Sequence, residues 1–113
     1  MTEDPVLTLQ IEVQNDVTTV RCSGRLVSTN ATRLQTNVKP LIRPSKTIVI
    51  DLTDLTFMDS MGLGTVASLY VSSRVAGGHL ELVNLTKRIR DLLTVTHLLS
   101  LFEPCGEANV TIP

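Results

Sequence analysis

The alternation of apolar and polar residues near the beginning of the chain predicts a pair of β-strands. Positions 7–13 read LTLQIEV, and every second side chain is apolar and shares one face: Leu7, Leu9, Ile11 and Val13. A second alternating run, VTTVRCSG, follows directly after Asn15 and Asp16. Two such runs joined by two turn-forming residues indicate a β-hairpin. The first predicted element is therefore an antiparallel strand pair.

The pattern changes to helical spacing after residue 30. Apolar residues then recur every three or four positions: Ala31, Leu34, Val38 and Leu41. Any of the three preceding residues could cap such a helix: Ser28, Thr29 and Asn30. Pro40 has no backbone N–H and its ring would clash with the carbonyl of Thr36, so we expect a kink or a broken last turn there.

A buried strand is predicted in the middle of the chain. The sequence TIVIDL, positions 47–52, is apolar almost throughout, which is typical of a central strand covered on both faces. The following residues, 53–59, are mostly polar and are expected to form a turn-like connection. The strand should therefore end well before the next helix begins.

Helices and strands continue to alternate in the second half. A helix is predicted from Ser60 to about Ala76, and the glycine pair that follows it is a common C-terminal signal. HLELVN, positions 79–84, predicts a strand, and TKRIRDLLTVT, positions 86–96, predicts a third helix. The segment NVTIP, positions 109–113, could add an edge strand. The expected fold is α/β, with helices packed on a mixed sheet of four to five strands.

Composition and charge restrict the possible functions. The 113 residues fit a single domain, predicted to span 1–113, which is short for a cofactor-dependent enzyme of two domains. A net charge of -1 and three aromatic residues give no reason to expect a nucleic acid partner. No apolar run reaches the roughly 20 residues of a membrane span, so a cytoplasmic protein is predicted. Cys22 and Cys105 are expected to stay reduced.

One cofactor-binding pattern is present. GLGTVA, positions 62–67, matches the dinucleotide fingerprint G-x-G-x-x-G/A, and Glu81 follows at about the required twenty residues. The predicted turn-like stretch separates the strand from Gly62, however, and Glu81 lies inside a predicted strand. A small dinucleotide-binding domain is therefore a remote alternative. His79 and His97 are read as surface residues rather than catalytic bases, so neither an enzyme nor a cofactor is expected.

The most informative stretch is TFMDSMGLG, positions 56–64, where the second predicted helix begins. FMDSMGLG, followed in order by AGGHLELVNLTKRIRDLL and preceded by Gly24 at the end of the second strand, resembles the STAS domain. This domain occurs in anti-sigma factor antagonists and in the cytoplasmic tails of sulphate transporters. The resemblance covers nearly the whole chain. It implies that Ser60, directly after the aspartate, is phosphorylated by an anti-sigma factor that is also a serine kinase.

The resemblance also implies the partners. The unphosphorylated protein would bind and sequester the anti-sigma factor kinase, and phosphorylation would release the kinase. A serine phosphatase is the second expected partner. The free protein is expected to be a monomer. The alternative within the same fold is a scaffold or regulatory subunit of a stressosome or a lipid-transport complex. The expected partner-binding residues lie on and beside the start of the second helix: Asp59, Met61, Gly62, Leu63, Gly64, Thr65, Ser68, Leu69, Ser28, Thr29 and Asn30.

Elementary helix chemistry is consistent with Ser60 as a switch. Serine is a good N-cap, and the first backbone N–H groups of the helix, at Gly62, Leu63 and Gly64, are expected to be free to hold a phosphate. Both glycines should leave the helix surface open to a kinase. One side of the helix is expected to face the sheet, with residues 63, 66, 67, 70 and 74. The docking side should carry Met61, Thr65, Ser68, Leu69 and Ser72.

One departure from the family concerns the loop after the second strand. Many anti-sigma factor antagonists read G-E-L-D there, whereas positions 24–27 of this chain read GRLV. Arg25 and Val27 thus replace two acidic residues. The change predicts a less acidic loop than in those antagonists.

Overall fold

Strand pairing determines the architecture. The computed structural model describes residues 7–97, in which four strands form one sheet in the order β1, β2, β3, β4. In chain order they are β1 (Leu7–Gln14), β2 (Val17–Leu26), β3 (Thr47–Met58) and β4 (His79–Val83). β1 pairs antiparallel with β2, whereas the β2/β3 and β3/β4 pairs are parallel. The predicted mixed sheet with an N-terminal hairpin is confirmed; the possible strand at 109–113 lies outside the described residues.

The two ends of the β1–β2 hairpin differ in burial. The register pairs Leu7 with Gly24 and Gln14 with Val17. Asn15 adopts a positive φ of 55° in the turn, a conformation that asparagine tolerates well. Leu7 is fully buried, but Val13, which shares its face, is 58% exposed. The predicted apolar face is thus covered at only one end.

The third strand is longer than its sequence suggests. β3 lies between β2 and β4 and continues through residues 53–58, so the turn-like connection expected there is wrong. Leu55 and Met58 in this extension are buried, and shifts in register with β2 accommodate it. Val49 and Asp51 are only half-buried, so the expectation of cover on both faces is also wrong.

Asp51 organises the more exposed face of the sheet. Its Oδ1 accepts hydrogen bonds from the backbone N–H and the hydroxyl of Thr53 and from the side-chain amide of Asn84. Arg21 on β2 lies 3.6 Å from the other carboxylate oxygen. An apolar strand can therefore carry an aspartate because local hydrogen bonds satisfy it.

Three helices cover the other face of the sheet. They are α1 (Ala31–Val38), α2 (Ser60–Val75) and α3 (Lys87–Val95), and a 3₁₀ turn (Lys39–Leu41) follows α1. Pro40 lies in that 3₁₀ turn, which confirms the predicted break. The hydroxyl of Thr86 caps α3 by accepting from the N–H of Ile89 at 3.3 Å. None of the helices described is both long and apolar enough to cross a membrane.

All three helices and one face of the sheet build a single core. The fully buried residues include Leu34 on α1, Leu69 on α2 and Ile89 on α3. Cys22 on β2 is also fully buried, and burial, assisted by the charge of Asp51, raises the pKa of its thiol to about 12. Cys22 is a free cysteine within residues 7–97, and Cys105 lies outside them, so the reduced state of both thiols stays a prediction.

Candidate partner-binding site

The start of α2 lies at the carboxyl ends of two parallel strands. Leu26 near the end of β2 pairs with Met58 at the end of β3, and Asp59 alone separates β3 from α2. The N–H of Asp59 donates to the carbonyl of Leu26 at 3.2 Å. This bond holds the β2–α1 loop, residues 27–30, beside Ser60. The structure therefore brings together the two segments predicted to bind a partner.

Asp59, rather than Ser60, caps α2. Asp59 has extended backbone angles, and its Oδ1 accepts from the N–H groups of Met61 at 3.0 Å and Gly62 at 2.9 Å. Ser60 is the first helical residue and is exposed. The prediction of Ser60 as N-cap is wrong. Its hydroxyl makes no hydrogen bond with another residue in the range 7–97, so it remains available to an approaching group.

Asp59 also ties the helix to the neighbouring loop. Its Oδ2 accepts from the N–H of Ser28 at 2.9 Å. The bond from Gly62 lowers the pKa of the Asp59 carboxyl most, and the bonds from Ser28 and Met61 lower it further, which together outweigh desolvation. The carboxylate is therefore ionised at neutral pH, with both oxygens bound to backbone amides.

The helix start does not offer the phosphate cradle expected from its sequence. The N–H of Gly62 is bound to the Asp59 side chain, and the N–H of Leu63 donates to the Asp59 carbonyl at 2.9 Å. Two of the three amides expected to be free are thus occupied. A negative charge on Ser60 would be added beside an existing carboxylate rather than neutralised by these amides.

The two glycines of the motif have different surroundings. A Cβ on Gly62 would lie 2.5 Å from the carbonyl oxygen of Leu26, so only glycine permits this close approach of α2 to β2. A Cβ on Gly64 would meet nothing within 4 Å. Gly62 therefore allows α2 to pack closely on β2, and the prediction that it leaves the helix surface open to a kinase is wrong. Gly64 does leave the surface of α2 open.

This placement also argues against the dinucleotide fingerprint. Both glycines lie inside α2, whereas the fingerprint needs them in the turn that carries the pyrophosphate. The predicted turn-like stretch between the strand and Gly62, which also argued against the fingerprint, is absent, because β3 runs almost directly into α2. Within residues 7–97, no cluster of His, Cys, Asp or Glu side chains is placed to hold a metal ion.

The predicted docking side of α2 is only partly exposed. Met61 is 58% exposed, Gly64 and Ser68 are exposed, and Thr65 is half-buried. Leu69 is 1% exposed and belongs to the core, so its predicted outward orientation is wrong. Leu63 is 4% exposed and faces the core as the spacing predicts, so its side chain is not offered to a partner. α2 is buried over a wide arc because both the sheet and α1 contact it.

The β2–α1 loop presents two of its three predicted residues. Ser28 and Thr29 are exposed, whereas Asn30 is 3% exposed. The side chain of Asn30 shapes the loop: Oδ1 accepts from the N–H of Val27 at 2.9 Å and Nδ2 donates to the carbonyl of Arg25 at 3.0 Å. Asn30 thus stabilises the conformation of the loop and does not belong to its exposed surface.

One exposed residue at this edge was missing from the predicted site. Arg25 places its guanidinium carbon 5.5 Å from the centre of the Phe57 ring, across the β2/β3 pair. The sequence does identify Arg25 as a departure from the family pattern. It does not show the stacking, because Phe57 falls in the stretch predicted to be a turn.

Comparison with known proteins identifies the family. The family described as "STAS domain" matches residues 8–110. The chain belongs to the STAS domain family. It is 30% identical over 90 residues to the anti-sigma-B factor antagonist of Bacillus subtilis (strain 168), with 80% of this chain and 82% of that protein covered. It is also 30% identical over 99 residues to the anti-sigma F factor antagonist of Paenibacillus polymyxa, with 84% and 85% covered.

Two solved structures of SpoIIAA share the fold. The anti-sigma factor antagonist SpoIIAA in its unphosphorylated form has a TM-score of 0.72 at 23% identity, over 80% of this chain and 82% of that one. The phosphorylated form of the Bacillus protein SpoIIAA has a TM-score of 0.68 at 23% identity, over 80% and 85%. The resemblance inferred from FMDSMGLG is thereby confirmed for the family and the fold.

Proposed function

We propose that this protein is an anti-sigma factor antagonist whose unphosphorylated form binds an anti-sigma factor serine kinase and whose phosphorylation on Ser60 releases it. The observation that carries the proposal is the placement of Ser60. Its hydroxyl is exposed in the first turn of α2, immediately after the ionised Asp59. The names of the two relatives, both antagonists of anti-sigma factors, support the antagonist function.

The local electrostatics explain how one phosphate could end binding. A phosphoserine adds about -1.5 to -2 charges at neutral pH. Because the Asp59 carboxylate already occupies the Met61 and Gly62 amides, the added charge is not absorbed by the first turn. Two like charges about 4 Å apart near a protein surface repel by up to ~4 kcal/mol before salt screening. Since ~1.4 kcal/mol changes affinity tenfold, part of this repulsion is enough to dissociate a micromolar complex.

The switch does not require the domain to unfold. Ser60 contributes no side-chain hydrogen bond within residues 7–97, and the cap of α2 depends on Asp59. Modification of Ser60 would therefore change the charge of the surface and leave the capping contacts of α2 in place. Met61, Gly64 and Ser68 extend the same exposed surface along α2, and Ser28 and Thr29 extend it onto the loop.

The test uses Ser60 variants with the anti-sigma factor kinase recovered with the protein from its own cells. Ser60→Ala should bind the kinase as tightly as the wild type, and Ser60→Asp should bind roughly tenfold more weakly or worse. Thr36→Asp, an exposed position on α1, adds the same charge elsewhere and should have little effect. Incubation with kinase and ATP should place one phosphate on Ser60, as read by mass spectrometry.

The contrary results are equally specific. Equal binding of Ser60→Ala and Ser60→Asp, with Ser60 unmodified after incubation, would show that Ser60 is not a switch. Recovery of stressosome or membrane transport components in place of a serine kinase would favour the scaffold alternative.

A further inference from the structure

The guanidinium of Arg25 is held in a defined position at the edge of the proposed interface. Arg25 is exposed, and its guanidinium carbon lies 5.5 Å from the centre of the half-buried Phe57 ring. Its carbonyl accepts from Nδ2 of Asn30 at 3.0 Å, which fixes the backbone of the same residue. A cation stacked on an aromatic ring loses less conformational freedom when it binds a second group.

Arg25 belongs to the same edge of the sheet as Ser60. The next residue is Leu26, whose carbonyl accepts from the Asp59 N–H. The same carbonyl would lie 2.5 Å from a Cβ on Gly62 in α2. Phe57, under the guanidinium, precedes Ser60 by three residues. A protein that covers Ser60 and the β2–α1 loop would therefore extend over Arg25.

The charge of Arg25 is not neutralised within the described part of the chain. Two other cations there do have acidic partners: Arg21 lies 3.6 Å from Asp51, and Lys87 lies 3.1 Å from Asp91. Among residues 7–97, no carboxylate lies within ion-pair distance of Arg25. Asp59, the acid at the helix start, has both oxygens bound to backbone amides.

We propose that Arg25 determines partner specificity by binding an Asp or Glu side chain of the anti-sigma factor kinase. The inference rests on the proposed function and adds a charge requirement for the surface of the partner. A guanidinium presents a planar set of N–H donors that matches a carboxylate with two parallel hydrogen bonds. A kinase with a basic residue at the facing position would be rejected by repulsion between like charges.

The test measures the affinity of Arg25 variants for the same kinase, by titration calorimetry at two salt concentrations. Arg25→Glu should bind at least about tenfold more weakly than the wild type, and Arg25→Lys should fall between the two because it cannot form the paired bonds. Arg25→Gln should weaken binding and reduce its dependence on salt. Arg43→Glu is the matched control: it reverses the same charge at an exposed residue away from the edge that carries Arg25 and Ser60. This variant should bind nearly as the wild type does.

Three results with Arg25→Glu would overturn the inference: the variant binds as tightly as the wild type, binds more tightly, or loses no more affinity than Arg43→Glu does. Melting curves of every variant show whether a loss of affinity arises from unfolding. If Arg25→Glu is unfolded, the affinity of Arg25→Gln tests the inference instead. Arg25→Gln could lower the melting temperature of the protein phosphorylated on Ser60 and leave that of the unphosphorylated protein unchanged. Arg25 would then bind the phosphate of Ser60, and the inference would be wrong. Ser60→Ala and Ser60→Asp in the same titration test the proposed function separately, since they can differ even when Arg25 has no effect.

Discussion

The inner and outer sides of the first two turns of α2 differ although they come from one short motif. On the inner side, Gly62 lies so close to Leu26 that no Cβ fits, and Leu63 enters the core. On the outer side, Ser60 is exposed and Gly64 has no neighbour at the position of a Cβ. The comparison shows that Gly62 allows the close approach of α2 to β2, whereas Gly64 affects only the exposed surface of the helix. Substitutions on the two sides should therefore have opposite consequences.

The largest effect is expected from Gly62→Ala. The added methyl would overlap the Leu26 carbonyl, which is backbone and cannot move aside without disturbing the end of β2. Overpacking of this kind costs about 1–3 kcal/mol of unfolding free energy. Urea denaturation measures the loss. A stability equal to that of the wild type would mean that α2 can shift away from β2, and the distinction between the two glycines would disappear.

Asp59→Asn should have the next largest effect, with a dependence on pH. Asparagine can still cap α2 through Oδ1, but its amide group cannot accept from the Ser28 N–H, so we expect a loss of about 1 kcal/mol at pH 7. The folded-state pKa of Asp59 lies below its ordinary value of 3.8. Its stabilisation is therefore present above the ordinary value and is lost as the pH falls through the folded-state value.

Urea denaturation at neutral and strongly acidic pH checks this prediction. The difference between wild type and Asp59→Asn should shrink in acid. Asp54→Asn, at an exposed position of β3, is the control and should behave as the wild type does at neutral pH. A difference between wild type and Asp59→Asn that is independent of pH would show that the charge of Asp59 does not matter.

Gly64→Ala should stabilise the protein. Gly64 is inside α2, and alanine is favoured over glycine in a helix by roughly 0.5–1 kcal/mol. The midpoint of thermal unfolding should rise, opposite to the effect of Gly62→Ala. If the exposed side of α2 contacts the kinase closely, the same variant should also bind it more weakly. A fall in the midpoint would indicate an obstacle to the methyl group that the structure does not show.

Ser60→Ala should have the smallest effect on stability. Because Asp59 supplies the cap, removal of the Ser60 hydroxyl should change the unfolding free energy by less than about 0.5 kcal/mol. A loss of about 1 kcal/mol is instead expected for a capping serine. Thermal unfolding of the unphosphorylated protein distinguishes these values, and the larger loss would return Ser60 to the structural role expected from its sequence.

Most of the fold follows from hydrophobic periodicity. The hairpin, the break at Pro40 and the alternation of helices with strands are all predicted by short-range patterns. The extension of β3 through Phe57 and Met58 is not, because its polar residues resemble a turn. Its conformation depends on pairing with β2, whose register shifts between Arg21 and Ser23. Long-range pairing of this kind leaves little trace in a local pattern.

The candidate site was predicted in position but not in detail. The motif placed Ser60 at the start of a helix, but Asp59 and Ser60 are both good capping residues, and nothing local chooses between them. The structure favours Asp59, whose second oxygen reaches Ser28, 31 positions earlier in the chain. Helical spacing predicts the wrong side of α2 for Leu69, because spacing alone does not show that α1 also contacts α2.

The burial of Cys22 gives the domain an internal reporter of its own opening. A cysteine reacts with an alkylating reagent as the nucleophilic thiolate, whereas the Cys22 thiol is both buried and held protonated, with a pKa raised to about 12. Labelling of Cys22 therefore requires the sheet and the helices to separate. The rate at which the peptide that contains Cys22 gains mass in a thiol-exchange experiment thus measures how often the core opens, without any added probe.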